Sequence, residues 1–230
     1  MKKLKFLAAV CCMAAVFTAC EKNDPSQNDG NSNSGNNSAT DTANGHDYVD
    51  LGLPSGLKWA TCNVGATKPE EYGDYYAWGE TETKKIYDWT TYKWCNGSDD
   101  TLTKYNTESD YGTVDNKTVL DLEDDAARAN WGGAWRMPTD AEWTELRNNC
   151  TWRWTNGYNG TGVAGRIVTS DINGNSIFLP AAGYTVYYWS SSLYTDGPDD
   201  AWLLYFGSGN VHRDFYNRDR GRFVRPVLGE

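Results

Sequence analysis

Histidine is scarce in this chain of 230 residues, which contains only His46 and His212. Neither has other histidines or cysteines at a metal-ligand spacing, and hydrolytic metal centres are usually built from clustered His and Cys ligands. A Ser-His-Asp set can be assembled on paper from Ser190, His212 and Asp199, but no nucleophile elbow supports it. The sequence therefore predicts a protein that is not an enzyme and that holds neither a metal nor a cofactor.

Positive charge is also in short supply, because 21 Lys and Arg residues stand against 31 Asp and Glu, for a formal net charge of -10. An acidic surface repels phosphate backbones, which argues against nucleic acid as a partner. Acidic residues cluster at 121–126 and at 196–200. A hard cation needs about six to eight oxygen ligands. Neither cluster clearly supplies them, so we expect solvated acids there.

Long hydrophobic runs are missing too. The apolar run within residues 1–20 is too short for a membrane-spanning helix, which needs about 20 residues. It follows three lysines and ends in small residues before Cys20, as in a secretory signal. The "FTAC" box resembles a lipobox, so we expect Cys20 to be lipidated; simple cleavage that leaves an ordinary thiol is the alternative. Several acyl chains make a stable membrane anchor, which predicts an outer-membrane lipoprotein of the cell envelope, exposed at the cell surface.

Residues 21–45 contain almost nothing apolar and are dominated by Asn, Ser, Gly and Asp. Such a segment cannot bury enough surface to offset the entropy of ordering it. We therefore expect a flexible tether that spans about 25–30 Å. The remainder, 46–230, shows no repeat and is interpreted as a single domain. Its cysteines, Cys62, Cys95 and Cys150, are odd in number, so at most one disulfide forms and its pairing stays open.

Turn signals divide the chain into short strands. The turns "LPSG" at 53–56, "NG" at 173–174 and "GSGN" at 207–210 each separate two apolar runs. Asn-Gly is a strong hairpin signal, because both positions tolerate positive φ. Residues 150–154 alternate between apolar and polar, as in a strand with one buried face. A last strand is expected at 222–227.

Helical patterns are few. In "PTDAEWTELRNNC", Thr139 is an N-cap candidate, and Glu142 three residues later completes a capping-box pattern. A second, shorter helix is expected to start at Asp124 or Asp125, one of which caps it while the other is solvated. Short antiparallel strands, about two helices and long loops together indicate an α+β fold class.

Five motifs stand in one order along the chain. They are "HDYVDLGLPSGLKWATCNVGATKPEEYGDYYAWGE" at 46–80, "DDAARANWGGAWRMPTDAEWTEL" at 124–146, "NGNSIFLPAAGY" at 173–184, "YYWSSS" at 187–192 and "RFVRPV" at 222–227. Together they resemble the Fibrobacter succinogenes major paralogous domain family, which is common in Bacteroides-type lipoproteins. The resemblance covers almost all of the predicted domain and implies a C-type-lectin-like fold, related to that of formylglycine-generating enzymes.

The resemblance also bears on activity. "RMPTDAEW" is similar to a run in formylglycine-generating enzymes, but those need a reactive cysteine pair late in the chain, and no cysteine follows Cys150. The calcium-dependent sugar loops of C-type lectins are missing as well. Only residues 185–187 separate Tyr184 from Tyr188, where the family has a longer insert, so a loop over the ligand face is trimmed. A similar C-terminal pattern in Legionella collagen-like adhesins belongs to a domain that binds sulfated glycans.

The segment "NWGGAWRMPTDAEW" at 130–143 is interpreted as scaffold rather than as a reaction centre. Pro138 suits a helix entry, Trp135 and Trp143 are expected to face the core, and Arg136 is expected to be paired internally. The residues assigned to this structural motif are Trp135, Arg136, Pro138, Thr139, Glu142, Trp143 and, in "YYWSSS", Trp189.

The segment "VHRDFYNRDRGR" at 211–222 combines arginines with aromatic and acidic residues in an otherwise acidic protein. Arginine forks bind carboxylate or sulfate in bidentate fashion, and aromatic faces suit sugar rings. An internal salt-bridge network is the alternative. The candidate ligand-binding residues are Arg213, Asp214, Tyr216, Arg218, Asp219 and Arg220.

These features predict a lipid-anchored binding module of the cell envelope that recognises a glycan or protein ligand, for adhesion or capture. The membrane, reached through the lipid on Cys20, is the other expected partner. A non-catalytic structural component of an envelope or fimbria-like complex is the alternative function.

Overall fold

The computed structural model describes residues 40–229. The predicted signal at 1–20, the lipidation site Cys20 and the tether residues 21–39 lie outside the described residues. Two α-helices are present in the described part, α1 Ala126–Trp131 and α2 Asp140–Asn148. The strands are β1 Thr40–Ala43, β2 His46–Asp50, β3 Lys58–Ala60, β4 Trp135–Arg136, β5 Cys150–Thr155, β6 Gly165–Ser170, β7 Ser176–Pro180, β8 Val186–Leu193, β9 Asp200–Phe206, β10 Val211–Asn217 and β11 Val227–Leu228.

The strands form three antiparallel sheets. Their strand orders are β1-β2-β3-β11-β4, β5-β6-β7 and β10-β9-β8. Together with the two helices, this confirms the predicted combination of short antiparallel strands and few helices. A long stretch between β3 and α1 contains only 3-10 turns at Ser109–Tyr111 and Leu122–Asp124 and isolated bridges.

The three predicted hairpins are confirmed. β2 pairs with β3 across the turn at 53–56, β6 with β7 across 173–174, and β9 with β10 across 207–210. The last strand was predicted at 222–227, but β11 is Val227–Leu228, which is shorter and shares only Val227 with the prediction. Pro226 lacks a backbone N–H and cannot complete a ladder, and the residues before it make single bridges to two other segments instead.

Both predicted helix starts are confirmed. The Thr139 hydroxyl accepts a hydrogen bond from the Glu142 N–H, and the Glu142 carboxylate accepts one from the Thr139 N–H at 2.7 Å. In the shorter helix, the Asp125 carboxylate accepts from the N–H groups of Ala127 at 2.8 Å and Arg128 at 3.1 Å. These contacts satisfy backbone donors that the first turn of a helix leaves free.

The domain begins earlier than the sequence indicated. Thr40–Ala43, placed in the predicted tether 21–45, forms β1 and pairs with β2. The Trp135 indole N–H also donates to the Ala43 carbonyl at 3.0 Å. This strand is polar along most of its length, so its order comes from backbone pairing and not from an apolar pattern that the sequence could display.

The tryptophans of the scaffold motif are buried and its arginine is paired internally, as predicted. Trp135, Trp143 and Trp189 are buried, and the Trp143 indole N–H donates to the Trp189 carbonyl at 3.1 Å. Arg136 pairs with Glu142 through two hydrogen bonds of 2.8 and 2.7 Å. Glu142 therefore caps α2 and neutralises Arg136 at the same time.

Asp124 corrects another expectation. It was expected to be solvated, but its side chain is buried. Its carboxylate accepts hydrogen bonds from the Tyr105 hydroxyl at 2.7 Å and the Lys104 ammonium at 2.6 Å. A buried carboxylate needs such partners to offset its lost hydration.

The three cysteines of the domain, Cys62, Cys95 and Cys150, are free thiols. Burial raises the pKa of Cys150 to about 12, with Asp171 and Glu145 adding to the effect. The Cys150 thiol is thus a packing group and not a nucleophile at neutral pH.

Among residues 40–229, no helix is both long enough and apolar enough to cross a membrane.

Candidate functional site

Arg222 is fixed between two parts of the fold. Its N–H donates to the Tyr76 carbonyl at 2.9 Å and its carbonyl accepts from the Tyr76 N–H at 3.0 Å. The next residue, Phe223, donates from its N–H to the Tyr187 carbonyl on β8 at 3.3 Å. These backbone contacts place the Arg222 side chain beside β8.

The Arg222 guanidinium lies against two tyrosines. Its carbon is 4.5 Å from the centre of the Tyr187 ring and 4.8 Å from that of Tyr216. Burial lowers the pKa of the Arg222 guanidinium. The neighbouring Tyr216 and Tyr187 raise that pKa, and Arg220 lowers it further. The group stays charged at neutral pH, because an arginine pKa starts above 12.

Arg222 has few polar partners in the fold. Its Nε atom is buried and makes no hydrogen bond, and its Nη1 atom makes a long one of 3.5 Å to the Gly221 carbonyl. No carboxylate within residues 40–229 forms an ion pair with it. Buried polar groups normally have partners, so this guanidinium has unused hydrogen-bonding capacity.

Arg220 supplies a second loosely held positive charge. Its Nη1 atom donates to the Tyr87 carbonyl at 3.4 Å, and its Nε atom is 3.5 Å from Asp219 Oδ1. Both contacts are at the long limit of hydrogen bonding. The exposed Arg220 side chain is therefore free to turn toward a ligand.

Tyr75 completes the surface. Its ring is 44% exposed and stacks on Phe223 with centres 4.5 Å apart. Gly221 permits this packing, since a Cβ there would lie 3.0 Å from both Tyr75 Cβ and Tyr87 Cε1. We call the surface formed by Tyr75, Tyr187, Tyr216, Arg220 and Arg222 the tyrosine–arginine platform.

Two of the six candidate ligand residues, Tyr216 and Arg220, belong to this platform. Asp214 lies two residues before Tyr216 on β10, and alternate strand residues share a face. Its carboxylate accepts a hydrogen bond from the Phe215 N–H at 3.0 Å. Asp214 is exposed next to the platform, where it would repel an anion.

Arg213 points away from the platform, because neighbouring residues of a strand face opposite sides. Its Nε atom donates to Asp140 Oδ1 on α2 at 2.6 Å. Its guanidinium carbon lies 3.3 Å from the centre of the Trp202 ring. Arg213 is therefore paired within the protein, as in the alternative interpretation of an internal salt bridge, and is not a ligand-binding residue of the platform.

Arg218 and Asp219 are not surface residues, which corrects their assignment as ligand-binding candidates. Both are fully buried. Arg218 donates to the carbonyls of Tyr105 and Lys104, each at 2.7 Å. Burial raises the pKa of the Asp219 carboxyl. Arg218 thus holds the long loop before α1 against the end of β10, whereas both Asp219 carboxylate oxygens are buried and make no hydrogen bond.

The candidate ligand residues did not include three residues of the platform: Tyr75, Tyr187 and Arg222. Arg222 stands at the end of the arginine-rich segment, so its residue type was visible. Tyr75 and Tyr187 are far from it in sequence, and the motifs at 46–80 and 187–192 that contain them do not mark either residue as a ligand contact. Only the bridge between Tyr76 and Arg222 and the contact with β8 bring the three together.

The catalytic alternatives do not assemble. The Ser190 hydroxyl donates to the Trp202 carbonyl at 2.9 Å, whereas His212 stacks on Tyr205 with ring centres 5.1 Å apart. Asp199 accepts from the Asn217 amide at 3.3 Å. The three side chains thus have separate partners and form no relay.

The acidic cluster at 121–126 is already neutralised. Asp121, Glu123 and Asp124 offer carboxylate oxygens close enough together to hold a metal ion. The Lys104 ammonium, however, lies 2.6 Å from Asp121, 3.5 Å from Glu123 and 2.6 Å from Asp124. A lysine therefore occupies the place that a cation would take.

No family model, no curated protein and no solved structure matches the chain. The guide to its function is therefore the chemistry of the platform.

Proposed function

We propose that the protein is a non-catalytic binding module whose tyrosine–arginine platform holds an anionic group of a glycan or protein ligand. The observation that carries this proposal is Arg222. Its guanidinium lies within 5 Å of the centres of both the Tyr187 and the Tyr216 ring and has no carboxylate partner in the described part of the chain. Because the fold does not pair this charge, an anion from outside can.

A glycan is the favoured ligand. Tyr75 and Tyr216 are 44% and 43% exposed, and flat aromatic faces pack against the apolar faces of sugar rings. A guanidinium beside them binds carboxylate or sulfate through paired hydrogen bonds. An acidic sugar presents both features at once.

The proposal extends to family, fold and location. The chain would belong to the Fibrobacter succinogenes major paralogous domain family and adopt its C-type-lectin-like fold. It would be an outer-membrane lipoprotein, anchored through Cys20 and exposed at the cell surface. The support is the ordered set of motifs across 46–227, and three antiparallel sheets with two helices are compatible with it.

A panel of neutral, carboxylated and sulfated glycans tests the platform. We expect the acidic glycans to bind and the neutral ones not to bind. Arg222→Gln should weaken binding roughly tenfold or more, since hydrogen bonds to charged groups contribute about 1.5–3 kcal/mol. Arg153→Gln is the matched control, because Arg153 is exposed on β5 and lies outside the platform.

Two results would overturn the proposal. One is that no acidic glycan or acidic protein binds at all. The other is that Arg222→Gln and Arg153→Gln weaken binding equally, which would show attraction to overall charge and not to the platform.

An assembly component of the cell envelope is the second candidate, and β10 favours it. This strand has seven residues, lies at the edge of its sheet and exposes residues 212–216. An open strand edge can pair with another chain. Crosslinking in cells separates the two functions, because an assembly component should trap bacterial proteins and a receptor should not.

A further inference from the structure

A row of aromatic rings continues from the tyrosine–arginine platform across three strands. Tyr187 on β8 is paired in register with Tyr205 on β9, and Tyr205 is paired with His212 on β10. The ring centres of Tyr187 and Tyr205 lie 5.6 Å apart, and those of Tyr205 and His212 lie 5.1 Å apart. Tyr187 belongs to the platform, so the other two rings extend it without a gap. We call Tyr205 and His212 the aromatic extension.

The aromatic extension is open to solvent and its polar atoms are not used by the fold. His212 is exposed and Tyr205 is half-buried. Neither side chain forms a hydrogen bond or an ion pair with any residue between 40 and 229. Aromatic rings pack against the apolar faces of sugar rings, and hydroxyl and imidazole groups can bond sugar hydroxyls. The extension can therefore hold a second sugar ring beside the one at the platform.

The two parts of this surface differ in charge. Arg222 supplies positive charge at the platform. Asp214 lies between His212 and Tyr216 on β10 and shares their face, because alternate residues of a strand point to the same side. It is exposed, and the hydrogen bond from the Phe215 N–H at 3.0 Å holds its carboxylate near the strand. One acidic sugar is thus attracted at Arg222, and a second acidic sugar over the extension is repelled.

We propose that this surface binds a uronic acid linked to a neutral sugar. The carboxylate of the uronic acid pairs with Arg222, its ring packs on Tyr216, and the neutral ring lies on Tyr205 and His212. A carboxylate has two coplanar oxygens that match two N–H groups of a guanidinium. This assignment rests on the proposed function of the platform and adds the class of its ligand, which is a single acid next to an uncharged ring.

Calorimetric titration of the full chain with a matched series of sugars tests the assignment. The series is glucuronic acid, the disaccharide of glucuronic acid and glucose, the disaccharide of two glucuronic acids, and cellobiose. We expect the mixed disaccharide to bind roughly threefold or more tightly than glucuronic acid, since its second ring adds aromatic contacts. The doubly acidic disaccharide should bind more weakly than the mixed one, because its second carboxylate meets Asp214. Cellobiose, which has no acid, should not bind.

Two variants probe the neutral end of the surface. His212→Ala should weaken binding of the mixed disaccharide roughly threefold, and should affect glucuronic acid less. Asp214→Asn should strengthen binding of the doubly acidic disaccharide roughly threefold, since it removes the repulsion and keeps an oxygen for the Phe215 N–H. Asp171→Asn is the matched control, because it removes the same charge from an exposed residue in the turn between β6 and β7. It should change no affinity.

Some results would overturn the assignment and leave the platform function intact. In one, glucuronic acid binds and Arg222→Gln weakens its binding, but the mixed disaccharide binds no more tightly than glucuronic acid. In others, the doubly acidic disaccharide binds as tightly as the mixed one, or Asp171→Asn acts like Asp214→Asn. Tighter binding of a sulfated glucose or of an acidic dipeptide would replace the uronic acid by that ligand. If no acidic sugar and no acidic peptide binds, the proposed function fails as well.

Discussion

At the scale of single residues, the same side-chain chemistry serves opposite purposes according to its surroundings. Arg218 is fully buried and donates to two backbone carbonyls. Arg222 belongs to the platform, and its side chain makes one long hydrogen bond to the protein. An arginine whose N–H groups donate to the fold holds segments together, whereas one whose N–H groups lack partners in the fold can bind a ligand.

Asp125 makes a residue-scale prediction about pH. Burial raises its pKa from 3.8 to about 6, although hydrogen bonds from Met137, Arg128 and Ala127 oppose the rise. The pKa of Asp125 is higher in the folded state than in the unfolded state, so protonation of Asp125 stabilises the fold. This stabilisation is fully present below pH 3.8 and is lost as the pH rises through about 6. The loss should amount to roughly 2–3 kcal/mol.

Urea unfolding of the wild type and Asp125→Asn at several pH values between 3.5 and 7.5 measures this effect. The free energy of unfolding of the wild type minus that of Asp125→Asn should fall as the pH rises. The other carboxyls are common to both proteins, so their titrations cancel in the difference. A difference that stays constant with pH, or that grows, would contradict the prediction.

At the scale of elements, α2 shows how local signals fix a boundary. Thr139 and Glu142 exchange two hydrogen bonds at its first turn, and Glu142 also pairs with Arg136 on β4. The helix is therefore attached to the sheet at the residue where it starts. The cap therefore positions α2 and also supplies acceptors for the free backbone N–H groups of its first turn.

The cap gives an element-scale prediction. Thr139→Ala should lower the free energy of unfolding by about 1 kcal/mol, because the Glu142 N–H loses its acceptor. Thr139→Ser keeps the hydroxyl and should cost much less. Urea unfolding curves of the three proteins provide the comparison. Equal losses in the Ala and Ser variants would show that the methyl group, and not the cap, is what matters.

At the scale of the whole molecule, the loop that precedes α1 is tied to the sheet by buried polar contacts. Arg218, directly after β10, reaches the carbonyls of Lys104 and Tyr105, more than 100 residues earlier in the chain. Tyr105 in turn donates to Asp124 at 2.7 Å. These contacts bring regular and irregular parts of the domain together.

Replacing Arg218 tests this tie. Arg218→Gln should destabilise the protein by about 2–4 kcal/mol, because it leaves the buried carbonyls of Lys104 and Tyr105 without their donor. The matched variant Arg220→Gln removes an exposed charge and should stay within about 0.5 kcal/mol of the wild type. Thermal and urea unfolding measure both. If the two variants lose the same stability, Arg218 does not act as an internal tie.

The sequence by itself determined the local features. Turn residues fixed the hairpins at 53–56, 173–174 and 207–210, and side-chain spacing fixed the starts of both helices. The internal pairing of Arg136 was also predictable, since its partner Glu142 is only six residues away. All of these depend on contacts between residues that are close in the chain, where periodicity and turn chemistry are visible.

Only the tertiary structure decided which polar residues are free to bind. Arg218 was a candidate ligand residue on its residue type alone. In the fold it is buried and donates to the carbonyls of Lys104 and Tyr105, which are distant in the chain. Arg222 meets Tyr75 and Tyr187 because Tyr76 and β8 hold its backbone from both sides. Burial and pairing depend on what distant segments bring to a side chain, and residue type and spacing do not contain that information.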